Sequence, residues 1–102
     1  MELATTFRGL SEMECGTATR ALEKNSARLD RLLDKPTTLK AVVDGGQPFR
    51  VMLTMADLTS EDEGHDLANS IAAACEKLRV QVVRSRTRRR ETRRRTVDSE
   101  NS

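Results

Sequence analysis

The chain has 102 residues, enough for one domain with a modest core but not for two. Its apolar fraction is 36%, with two Phe and neither Tyr nor Trp, so a core must be built from Leu, Val, Ile, Met and Ala. Thin layers of helix on sheet suit that composition; a large pocketed enzyme does not. The formal charge of +2 conceals a division along the chain. Residues 1–76 hold eight basic and thirteen acidic side chains, whereas residues 77–95 hold ten basic and one acidic. Eight arginines fall between Arg84 and Arg95, and so dense a block points to nucleic acid or an anionic membrane surface. No apolar run approaches the roughly 18 residues needed to cross a bilayer. The start, "MELATTFRGL", lacks the basic-then-apolar order of a signal peptide. Cys15 and Cys75 are too few for a disulfide framework, and they read as two buried thiols in a reducing cytoplasm.

In "ELATTFR", Leu3, Thr5 and Phe7 alternate with more polar residues, which predicts a short half-buried strand ended by Gly9. Ser11 then offers an N-cap, with Glu12 and Glu14 placed favourably at a helix N-terminus. The helix is expected to run to about Asp34, with Pro36 as its stop. At roughly 100° per residue, Ala18, Leu22, Leu29, Leu32 and Leu33 share one face. Arg20, Lys24, Arg28, Arg31 and Lys35 make a continuous basic ridge beside it, and Glu23, Asp30 and Asp34 form a third sector. The ridge fits a phosphate-binding surface, and equally a solvated face with ion pairs along the helix. Sequence leaves both open.

"TTLKAVV" predicts a strand and "DGG" a turn after it. "QPFRVMLTM" predicts the next strand, with Phe49, Val51, Leu53 and Met55 on one face and Pro48 tolerable only at its beginning. "DLTSEDE" reads as a short polar edge strand, its acidity discouraging pairing with other chains. After Gly64, Asp66 can cap a second helix in which Leu67, Ile71, Ala74, Leu78 and Val82 give a buried stripe. Beyond Val83 no apolar face survives. Residues 1–83 are therefore expected to form the folded domain. In 84–102 the helix is expected to fray near Arg84–Arg90 into a disordered tail ending in "DSENS". The expected class is α+β, in the order β-α-β-β-β-α. A right-handed crossover joins the first two strands, and two helices pack on one face of a four-stranded sheet.

That order, filled with these residues, resembles the ribosome hibernation-promoting factors, the ribosome-associated inhibitor family, in its short form. Three stretches carry the resemblance over roughly residues 1–90: "ALEKNSARLDRLLDK" at the end of the first helix, "FRVMLTMADL" in the middle strands, and "EDEGHDLANSIAAACEKLRVQV" leading into the second helix. The chain departs from the family's pattern at "TMAD", where members usually carry a glycine-containing turn. The resemblance implies a fold similar to double-stranded-RNA-binding domains. It also implies binding in the decoding channel of the small ribosomal subunit, with inhibition of translation in stress or stationary phase. By position, Arg20, Lys24, Arg28, Arg31 and Lys35 would meet ribosomal RNA from the first helix. Lys77, Arg79, Arg84, Arg86, Arg88, Arg89 and Arg90 would meet it from the second helix and its extension. The implied partner is the small subunit, with no membrane and no small-molecule substrate, and the free protein is expected to be monomeric.

The residues themselves are compatible with that implication. Arginine's planar fork engages phosphate oxygens in pairs, and without Tyr or Trp there is no base-stacking platform, so shape and backbone recognition of folded RNA is expected. Catalysis is not. His65 beside Asp66 and the run Glu61-Asp62-Glu63 reads as a strand end and helix cap, neither general base nor metal site. Cys75 has no group to activate a thiolate, and "DGGQP" lacks the Lys-Ser/Thr of a phosphate loop and precedes a strand. No cofactor and no metal is expected. The alternative reading is a general DNA- or RNA-binding protein that uses its arginine arm as a nonspecific polyanion anchor.

Overall fold

A computed structural model describes residues 1–33 and 35–101, with side chains through Ser85. The elements are β1 (Glu2–Arg8), α1 (Glu12–Asp30), β2 (Thr38–Asp44), β3 (Phe49–Met55), β4 (Leu58–Gly64) and α2 (Leu67–Asn101). They form a four-stranded sheet in the order β1-β2-β3-β4, with β1 and β2 parallel and the other neighbours antiparallel. The expected α+β order and layering are those observed. The expectations of fraying and of a disordered tail concern the arginine-rich arm, whose side chains from Arg86 onward lie outside the described residues, as does Asp34.

Strand alternation makes one face of the sheet apolar. Register brings Leu3, Leu39, Met55 and Leu58 into one row, Thr5, Ala41, Leu53 and Ser60 into the next, and Phe7, Val43, Val51 and Asp62 into a third. The rows are most apolar on the two central strands, where Leu39, Val43, Val51 and Leu53 are fully buried. Ala18, Leu22 and Leu29 of α1 and Ile71, Ala74 and Leu78 of α2 complete the same cluster. Each large apolar side chain buried this way stabilises the fold by roughly 1.5–3 kcal/mol. The opposite face is mostly polar, with Val42 and Met52 paired near its centre; across one end of it Arg8, Asp44, Arg50 and Glu63 alternate in charge strand by strand. Arg50 reaches Glu63 at 2.8 Å.

β4 is poor in inward apolar residues, and hydrogen bonds to α2 hold it instead. Ser60, buried, donates to the Ala74 carbonyl at 2.8 Å, and Gln81 donates to the Thr59 carbonyl at 2.8 Å. Lys77 donates to the Glu61 carbonyl and to the Asp62 carboxylate, both at 2.9 Å. The inward position of Asp62 is thereby neutralised. Two-thirds of the acidic run is explained by structure: Asp62 meets Lys77, and Glu63 meets Arg50.

Both helix starts are capped. Ser11 accepts from the Glu14 amide at 3.2 Å while the Glu14 carboxylate accepts from the Ser11 amide at 2.8 Å, a reciprocal capping box. Asp66 accepts from the Asn69 amide at 3.0 Å ahead of α2. The end of α1 differs from expectation. The helix stops at Asp30 with Arg31 as C-cap, a turn before Asp34. Amides of Leu32 and Leu33 bond to the carbonyls of Leu29 and Asp30 at 3.0 and 3.2 Å, the tighter three-residue spacing. Pro36 disfavours continuation of the helix, and the tightened turn lets Leu32 and Leu33 pack against the core rim.

Two turns carry conformational cost. A Cβ on Gly45 would lie 2.0 Å from the Gly9 carbonyl oxygen, because the Gly45 amide donates to Arg8 across the ends of β1 and β2. In the two-residue turn between Met55 and Leu58, Ala56 takes a φ of 55°, a position where glycine avoids strain. Gly45→Ala is expected to lower unfolding free energy by about 1–3 kcal/mol, whereas Ala56→Gly raises it by roughly 0.5–1 kcal/mol. Urea denaturation of the two variants beside the parent checks both signs.

Candidate nucleic-acid interface

α1 has a buried side and two flanks, each with its own neighbour. One flank faces β1, where Glu23, Ser26, Ala27 and Asp30 line a cleft with Leu3 and Thr5. Asp30 there meets the Met1 amine at 3.0 Å. The other flank faces α2, where Asn25, Arg28 and Leu29 line a cleft with Ala72, Cys75, Glu76 and Arg79. Glu23 and Asp30 of the acidic sector therefore turn to β1, Arg28 of the basic ridge turns toward α2, and Arg20, Lys24 and Arg31 are open to solvent.

Arg20, Lys24, Arg28 and Arg31 are all exposed. Among the described residues none of them makes an ion pair, along the helix or off it. Lys35 departs from the expected ridge: with α1 ended at Asp30, it stands in the loop beyond. It lines a different cleft with Leu32, Leu33, Met55, Leu58 and Val82.

The second helix divides the expected site residues between its flanks, because positions 77 and 79 lie about 200° apart on a helix. Arg79 faces α1 across the groove that Arg28 also lines. Lys77 is drawn to β4 by the contacts described above, and Arg84 lines the cleft on that same side with Thr59 and Gln81. Lys77 and Arg79 therefore do not form one basic surface. Arg86, Arg88, Arg89 and Arg90 have side chains outside the described residues.

Sequence reasoning missed Glu76. Its carboxylate takes two bonds from Arg79, one from Nε at 2.9 Å and one from Nη2. The Arg79 hydrogen bond, with the charges of Arg79 and Arg28 behind it, holds the Glu76 carboxyl below its ordinary range. Glu76 in turn keeps the Arg79 guanidinium more firmly protonated. The three-residue spacing of Glu76 and Arg79 was a legible signal for this pair; the arrival of Arg28 from another helix was not.

Other chemistry-bearing residues are engaged elsewhere. His65 Nδ1 lies 3.1 Å from Gln47 Oε1, beside the β2–β3 loop. Cys75 is buried against the core, which pushes its thiol up to about 11. Among the described residues no group of three or more His, Cys, Asp or Glu is placed to hold a metal ion. No helix among them is long and apolar enough to cross a membrane.

The molecule falls in the class of small α+β domains that resemble double-stranded-RNA-binding domains, two helices on one face of a four-stranded mixed sheet. It is similar to the solved N-terminal domain of Protein Y from Thermus thermophilus, with a TM-score of 0.63 and 23% identity, covering 82% of this chain and 98% of that one. It is also similar to a ribosomal subunit interface protein from Coxiella burnetii, with a TM-score of 0.53 and 12% identity, covering 85% and 99% of the two chains. At these identities the likeness is one of fold. No protein-family model and no curated protein sequence matches the chain.

Two outcomes follow, one from the division between flanks and one from burial. Lys77→Met is expected to lower unfolding free energy by about 1 kcal/mol, since it removes an ion pair and a bond to backbone; Arg79→Met changes it less, as urea denaturation would register. Cys15 is only partly buried, unlike the buried thiol expected from sequence, whereas Cys75 is buried; with a thiol reagent at pH 8, Cys15 is expected to be labelled in the native protein and Cys75 only after unfolding, which mass spectrometry of the labelled peptides resolves.

Proposed function

We propose that the protein is a non-catalytic ribosome-binding factor that lodges against the RNA of the small ribosomal subunit and blocks translation by occupying the decoding channel. The observation that carries this reading is the row of exposed cations Arg20, Lys24, Arg28 and Arg31 on α1, which make no ion pair among the described residues, with Arg28 lining the groove that also holds Arg79 of α2. A rigid helix that presents four exposed cations suits a backbone of phosphates at fixed spacing better than it suits a protein or lipid surface. The fold shared with Protein Y and with a ribosomal subunit interface protein supports the same partner.

Phosphate binding of this kind is driven by counterion release, so affinity is expected to fall steeply with salt. Exposed aromatic rings for base stacking are lacking among the described residues: Phe49 is buried and Phe7 packs against the core. Shape and backbone are then what the helices read, while the arginine arm adds attraction to phosphate without register. A cytoplasmic protein acting as translation is shut down in stress or stationary phase fits that division of labour.

The test is co-sedimentation with purified small and large subunits across a salt series. Expected is saturable binding to the small subunit, weakened in an Arg20/Lys24/Arg28 triple alanine variant. The slope of log affinity against log salt should be shallower in that variant by about two to three. A chain with the eight arginines from Arg84 to Arg95 replaced by glutamine should still prefer the small subunit. If that chain binds nothing, and the parent binds DNA and both subunits alike, the arm is a general polyanion anchor and the ribosomal reading is wrong.

A further inference from the structure

We infer that Glu76 is a built-in stand-in for phosphate: it occupies the fork of Arg79 in the groove between α1 and α2, and an RNA phosphate displaces it on binding. This rests on the reading of the helix pair as an RNA-binding surface, and it names one subsite within that surface and the residue that restrains it.

The groove is a cleft of about 190 Å³ lined by Asn25, Arg28, Leu29, Ala72, Cys75, Glu76 and Arg79. Two guanidinium groups from different helices border it, and a single carboxylate lies with them. That carboxylate engages Arg79 through two oxygens, on Nε and Nη2. Two phosphate oxygens make the same two-pronged contact, so the carboxylate and a phosphate compete for one set of donors. Arg28, meanwhile, has no ion pair among the described residues and acts on Glu76 only through its charge. A phosphate in the groove therefore gains a cation that the carboxylate does not bond.

The pair is also weak enough to yield. Glu76 and Arg79 are exposed partners three residues apart on one helix, an arrangement that holds little free energy in water. Once displaced, Glu76 stays on the same helix turn, and its negative charge opposes the phosphate that replaced it. Glu76 accordingly lowers affinity for RNA and holds the Arg79 fork occupied in its absence. Glu23 provides an internal comparison. It is an exposed acid on the β1 flank of α1, away from the groove.

The experiment measures affinity for purified small subunits and for a short A-form RNA duplex, at low and physiological salt. The chains are the parent, Glu76→Gln, Glu23→Gln, Arg79→Gln and the Glu76→Gln/Arg79→Gln double variant. Expected is about three- to tenfold tighter binding for Glu76→Gln at low salt, from one fewer negative charge a few ångströms from phosphate. The gain should exceed that of Glu23→Gln and vanish in the Arg79→Gln background. A gain equal to that of Glu23→Gln, or one that persists without Arg79, reduces Glu76 to general surface charge and overturns the inference. So does weaker binding by Glu76→Gln, which would make the carboxylate a positioner of Arg79 during binding. Parent protein that binds the duplex but not the small subunit defeats the ribosomal reading and leaves this comparison intact on the duplex. If the parent binds neither, both fall.

Discussion

The apolar stripe of α2 is the constraint on which the rest of the structure depends. Ile71, Ala74 and Leu78 are fully buried, and that one helix packs against α1, β3 and β4. With no Trp or Tyr and only two Phe, the chain has no bulky ring to fill a gap. Aliphatic side chains must interdigitate from three directions at once, and a helix laid along the sheet is what lets them do so. Anything that rotated α2 about its axis would expose the stripe. It would also carry Arg79 out of the groove and Lys77 away from β4.

That rotation setting has a chemical consequence. The flanks of α2 are equally basic on paper but meet different neighbours. On one flank, β4 lacks inward apolar residues beyond Leu58 and recruits polar groups of the helix, so Lys77 and Gln81 are spent on holding the strand. On the other, α1 supplies its own apolar surface, and the charged residues at the seam remain at the surface. The same type of side chain is thus a strand fastener on one side and a candidate phosphate ligand on the other. Packing, and not residue type, makes the distinction.

The acidic residues are sorted by the same logic. Asp62 points to the helix side of the sheet and is neutralised there by Lys77, while Glu63 points to the open face and closes a charge ladder with Arg50. Asp30 and Glu23 sit on the β1 flank of α1, away from the ridge. A protein whose first 76 residues carry more acid than base can therefore still expose a row of cations along α1 and bring Arg28 and Arg79 to the groove between its helices. Glu76 is the exception, an acid that lies in that groove bonded to Arg79.

Much of this was legible in the sequence. Period-two alternation in "FRVMLTM" and the stripe from Leu67 to Val82 determine strand, helix and buried face, because burial selects every second residue of a strand and one side of a helix. Ser11 and Asp66 mark their caps by chemistry that acts over three residues. The basic ridge on α1 was visible as spacing, though its end at Lys35 was not, since the turn after Asp30 is made by backbone bonds that no side chain announces. What only the tertiary structure decided is which flank meets which neighbour: Arg28 beside Arg79 and Glu76, and Lys77 on β4. Those pairings join residues about 50 and 15 positions apart. Sequence periodicity sets the direction of a side chain relative to its own helix; what waits in that direction is set by how the helix lies on the sheet.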